Sequence, residues 1–123
     1  MLLRDEFESV AAQFDGALGM AYMPVGGGQV HALGDWSTGV SWSTIKVPLA
    51  IAALRNDGSG ASAAAAAAIM NSDNGAADAL WQSLGGSASA AAAVEQILLE
   101  GGDDGTVVQP EKTREGFSAF GQS

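Results

Sequence analysis

The chain has 123 residues, no cysteine, one histidine and a formal charge of −9, enough length for one buried core and short for two ordinary domains. An acidic field of that size repels phosphate backbones and anionic lipid surfaces, so nucleic-acid and membrane partners are not expected. The lack of cysteine removes disulfides, thiolate catalysis and Cys-bearing zinc sites, and the lone His31 supports neither a His-rich metal site nor a Ser-His-Asp triad.

In chain order, Phe7, Val10, Ala11 and Phe14 recur at three and four residues and predict a short amphipathic helix ending near Asp15-Gly16. Gly19 to Val25 and Gln29 to Leu33 read as strands around Gly26-Gly27-Gly28, a triplet able to take the positive φ values of a tight turn. From Ser43 to Arg55 the apolar residues Ile45, Val47, Leu49, Ala50, Ile51, Ala53 and Leu54 cover most of a helix surface, and Asn56-Asp57-Gly58 ends it. That helix is expected to be the most buried element. Ala61 to Met70, Gly75 to Leu84 and Ser87 to Leu99 predict three more helices, parted by Asn71-Ser72-Asp73-Asn74 and by Gly85-Gly86. The segment 106–123 carries Pro110 and scattered apolar side chains and reads as an extended tail. The longest apolar stretches are well short of a membrane span, and Met1-Leu2-Leu3-Arg4-Asp5-Glu6 lacks the basic start and apolar middle of an export signal.

Two short patterns carry chemistry. Ser43-Thr44-Ile45-Lys46 puts a hydroxyl and an amine three residues apart, on one helix face within side-chain reach. A lysine there can serve as base for the serine, since desolvation on an apolar helix disfavours an ammonium. The N-terminus of the helix aims free amides at charge developing near Ser43. The second pattern is Ser72-Asp73-Asn74, at the mouth of the next helix but one. Each has a plain alternative: Ser43 as a helix cap beside a solvated Lys46, and Ser72 or Asp73 as a cap ahead of Ala76. A chance S-x-x-K arises in roughly one chain in five of this composition and a chance S-D-N in about one in fifty, so their joint occurrence in this order favours function.

With these motifs in this order the sequence resembles the serine β-lactamase and penicillin-binding protein superfamily, whose class A members carry S-x-x-K, S-D-N and K-T-G. The opening helix, the hairpin (Gly19 to Met23, Val30 to Leu33), Ser43 to Leu49 and Ser72 to Ala77 leading into Leu80 follow that family's element order, and the resemblance covers roughly Phe7 to Gly102. It implies an α/β fold of the β-lactamase/transpeptidase type, of which this chain is the mainly helical portion with an N-terminal β-hairpin, the C-terminal strands being missing. Residues 1–105 then form a partial domain, and 106–123 a tail directed towards the missing remainder.

The resemblance also implies the roles. Ser43 is the acylated nucleophile, Lys46 its general base or proton relay, Ser72 the proton shuttle to the leaving nitrogen, Asn74 a substrate amide-binding group, and Asp73 a structural residue orienting the loop. The expected function is a serine hydrolase or acyltransferase acting on β-lactam or peptidoglycan-like amides, extracytoplasmic, with no metal or organic cofactor. A homo-oligomer or a complementary second fragment is the expected partner. The interval between the two serines is shorter than in typical class A enzymes, which implies fewer intervening helices. No K-T-G follows, because Lys112-Thr113-Arg114 has arginine where substrate backbone must approach; poor turnover by this chain alone is therefore expected. Glu111 and Glu115 read as surface charges, His31 as a strand surface residue, and Trp36, Trp42 and Trp81 as packing residues, with Trp42 placed to border a cleft. The rival readings are a non-catalytic binding relative and a helical interaction module whose motifs are only caps.

Overall fold

The computed structural model describes residues 2–123, which fall into two compact units, one running to Gly39 and one spanning Val40–Ser123. Among the described residues it is mainly helical, with five α-helices and one two-stranded antiparallel sheet, a mixed α/β arrangement.

In the first unit, α1 (Leu2–Ala11) precedes β1 (Gly19–Tyr22) and β2 (His31–Gly34). The helix stops earlier than its apolar spacing predicts. After Ala11 the backbone tightens to three-residue bonds, Gln13 N–H to Val10 and Phe14 N–H to Ala11, and Phe14 lies exposed. The hairpin pairs Gly19 with Gly34 and Tyr22 with His31, and the Tyr22 and His31 rings stack with centroids 5.0 Å apart. Its strands are shorter than predicted because pairing ends at Tyr22, before Pro24, which has no N–H to donate. The Gly27 N–H turns back to the Pro24 carbonyl, and Gly26 and Gly27 take φ values of 95° and 100°. Gly34 admits no side chain, since a Cβ there would lie 2.2 Å from the Leu18 carbonyl oxygen.

The second unit is a bundle. A 3-10 turn over Trp42–Ile45 runs directly into α2 (Lys46–Asn56), followed by α3 (Gly58–Met70), α4 (Asn74–Ser83) and α5 (Ser87–Glu100). Pro48 sits in the first turn of α2, where its fixed φ suits the helix. Asp57 caps α3 by accepting from the Gly60 N–H at 2.9 Å. Alanine at Ala61, Ala65 and Ala68 recurs at four and three residues on the buried face of α3, which lets helix backbones approach closely. α2 touches α3, α4 and α5 and is the centre of the bundle.

Burial on α2 divides the helix lengthwise. Leu49, Ala50, Ala52 and Ala53 are buried, with Leu49 wholly inaccessible, whereas Val47, Ile51 and Leu54 form an exposed stripe. The apolar residues that cover most of the helix surface predict its burial on most sides; the bundle covers one side only, so Ile51 is not a core residue.

The tail lacks regular structure until a 3-10 turn at Phe120–Gln122, yet it packs on the helices. Asp103 accepts from the Gly105 and Thr106 N–H groups and the Thr106 hydroxyl, turning the chain back after α5. The Thr106 bonds, ahead of the one from Gly105, hold the Asp103 carboxyl below its usual range. The support this gives the turn is present above the ordinary carboxylate range and is lost as pH falls through the depressed value. Beyond the turn, Val108 and Phe120 are buried, Phe120 against Trp81 at 5.2 Å between ring centroids. Its apolar residues are few, but they are enough to tie the tail down. The Ser41 N–H donates to the Ser123 carbonyl at 2.7 Å, which brings the tail beside the start of α2.

Candidate active site

The 3-10 turn and α2 form a continuous helical run, so Ser43 and Lys46 stack one turn apart as their spacing predicts. Lys46 is the buried charged residue of the bundle, 3% exposed, while Ser43, at its mouth, is open to solvent. Ser72, Asp73 and Asn74 approach from the α3–α4 junction. Asp73 is extended (φ −68°, ψ 116°) and its carboxylate caps α4 by accepting from the Ala76 N–H at 2.9 Å. Extended backbone at the middle residue turns its two neighbours to one side. Ser72 and Asn74 accordingly both meet Lys46, and Asp73 points into its own helix. The motif thus supplies a cap through Asp73 and two partners of Lys46 through Ser72 and Asn74.

Lys46 Nζ donates to the Ser72 carbonyl and to Asn74 Oδ1, each at 2.7 Å, and lies 3.0 Å from Ser72 Oγ and 3.3 Å from Ser43 Oγ. Ser72 Oγ donates to Ser43 Oγ at 3.1 Å. The two short bonds use two hydrogens of the amine, and its remaining tetrahedral position faces the two hydroxyls. In the ammonium that position is a third N–H; in the neutral amine it is a lone pair able to take the Ser43 proton. The one ion pair among the described residues, Arg55 with Glu100, lies elsewhere, so hydrogen bonds and not a carboxylate compensate the burial of Lys46. Arg55, with help from Gln96, holds the exposed Glu100 carboxyl below its usual value.

Backbone strain gathers here. Of the three non-glycine residues with positive φ among the described residues, two are here, Trp42 at 49° and Ser72 at 51°, the third being Ser87 at the start of α5; non-glycine residues enter this left-handed region at a cost. At Ser72 this conformation puts carbonyl and hydroxyl on the same amine.

A cavity of about 280 Å³ opens beside Ser43, and Lys46 and Asn74 line it with Trp42. Its other wall, Phe117, Phe120 and Gln122 among others, comes from the tail. Sequence reasoning missed these residues. Phe117 and Phe120 fall at helical spacing in a segment with no helix-forming run, and the contact that places them is long-range. Lys112, Thr113 and Arg114 form no strand and do not line this cavity, and Glu111 and Glu115 are exposed and also outside it. His31 lies exposed on β2 against Tyr22. Of the tryptophans, Trp81 is core, whereas Trp36 and Trp42 are exposed, which corrects the packing role expected of Trp36. No family model, curated protein or solved structure matches the chain.

Asp73→Ala is expected to lower stability by about 1 kcal/mol through loss of the α4 cap. It should also loosen the placing of Ser72 and Asn74. Thermal unfolding of the variant beside the unmodified chain checks the first effect.

Proposed function

We propose that the chain carries the nucleophile half of a serine acyl-transfer site of the β-lactamase-like kind, acting on β-lactam or peptide-like amides. The observation that carries the proposal is the convergence of Ser43, Lys46, Ser72 and Asn74 on one amine, across two helices far apart in sequence. A capping-only role expects Ser43 and Lys46 on solvent faces with no shared cleft. The burial of Lys46 and the cavity beside Ser43 support the catalytic reading instead.

In the proposed reaction Ser43 Oγ bonds to the substrate carbonyl carbon while its proton passes to the neutral Lys46 amine. The carbon–nitrogen bond then breaks, and the proton travels from Lys46 through the Ser72 hydroxyl to the leaving nitrogen. Water, or a second amine, attacks the resulting ester to free Ser43. The amide NH2 of Asn74 is left for the substrate, because its oxygen already accepts from Lys46. The Thr44 N–H is spent on the Ser41 carbonyl, so the Ser43 N–H, in the first helical turn, is the donor to the developing oxyanion. A second donor is not assigned to any residue here, and loss of one such donor lowers rates by roughly 10²–10³. Acylation with slow turnover is the behaviour that follows.

A fluorescent penicillin tests the reading. Label should enter the unmodified chain and Ser118→Ala, which alters the other serine lining the cavity, and not Ser43→Ala. Equal labelling of Ser43→Ala would refute it.

A further inference from the structure

The tail residues of the cavity give it a chemical character that the motif residues do not. Trp42 and Phe117 pack against each other with ring centroids 5.6 Å apart at 60°, and both remain substantially exposed, at 48% and 39%. Phe120 continues the wall from below, itself held by Trp81. Large exposed aromatic rings that adjoin a nucleophile are unburied apolar area awaiting a partner. Among the described residues the cavity has no lining carboxylate, and its lining amine, Lys46, is engaged by protein acceptors. The two aromatic rings themselves offer a charged substituent no hydrogen-bond partner.

From these features, and because Ser72, which in the proposed reaction hands the proton to the leaving nitrogen, does not line the cavity, we infer that Trp42 and Phe117 form a subsite for a neutral, planar apolar substituent, such as a phenyl ring, on the acyl side of the substrate. The inference rests on the acyl-transfer reading of Ser43. Size agrees: an apolar cavity of about 150 Å³ accepts benzene, so about 280 Å³ holds one ring together with the reacting amide. The Arg114 guanidinium lies 4.8 Å from the centroid of the Phe117 ring and steadies it.

Two measurements test the subsite. In the first, matched β-lactams carrying a phenylacetyl or an acetyl side chain acylate the full chain, and intact-protein mass gives the two rate constants. The phenylacetyl compound should react about tenfold faster, a preference of the size that aromatic packing supplies. In Phe117→Ala the ratio should fall to about twofold or less. A ratio near one in the unmodified chain, or one untouched by Phe117→Ala, overturns the proposal. In the second, the Ser43→Ala chain, unable to acylate there, is titrated with N-phenylacetylglycinamide and N-acetylglycinamide while the Trp42 indole N–H resonance is followed. Only the phenylacetyl compound should shift it, and Ser43→Ala combined with Phe117→Ala should abolish the shift. A shift without acylation in the unmodified chain would sink the acyl-transfer reading and uphold the subsite. Acylation without side-chain preference or shift would do the reverse.

Discussion

Lys46→Met should reduce acylation of Ser43 by about 10²–10⁴-fold, the range that a positioned general base supplies. Methionine nearly fills the volume of the lysine stem, so the core contacts of α2 survive and the loss is chemical. The exchange removes the donor to the Ser72 carbonyl and to Asn74 Oδ1. Asn74 is exposed and water can replace the lost bond, so the stability change should stay within about 1–3 kcal/mol, the usual penalty for one unsatisfied buried group. Stopped-time labelling with a fluorescent penicillin, with circular dichroism to show that the variant is folded, separates the two effects. A folded Lys46→Met chain that acylates within a few-fold of the original would show that the amine is structural.

Leu49→Ala should destabilise the bundle by about 2–5 kcal/mol, because Leu49 is wholly buried where α2 meets its neighbours and truncation leaves a cavity as well as lost transfer energy. Total stability for a domain is about 5–15 kcal/mol, so this one change removes a large share of it. Two residues along the same helix, Ile51→Ala should cost well under half as much, since Ile51 is 38% exposed. Urea midpoints for both variants check the contrast. Equal losses would mean that something covers the Val47, Ile51 and Leu54 stripe in solution.

The elements of the bundle are legible in the sequence because each is local: helix periodicity, Asp73 as a cap, and Asn56-Asp57-Gly58 and Gly85-Gly86 as breaks act over a few residues. The spacing of Ser43 and Lys46 is legible for the same reason. Their meeting with Ser72 and Asn74 is long-range, and there the motif order carried information that periodicity does not. Which side of α2 is covered was not legible, since an all-round apolar pattern is silent about the number of packing partners. The tail was not legible either. Val108, Phe117 and Phe120 find their places through contacts with Trp42, Trp81 and α5, with no repeating pattern of their own.

The account stands on a covalent intermediate at one serine among the twelve in the chain. The most direct measurement is to incubate the chain with a penicillin, stop the reaction in acid, digest the protein and locate the added mass by fragmentation of the peptides. One adduct per chain is expected, on Ser43 and absent from Ser43→Ala. No adduct, or an adduct on another residue that persists in Ser43→Ala, would contradict it.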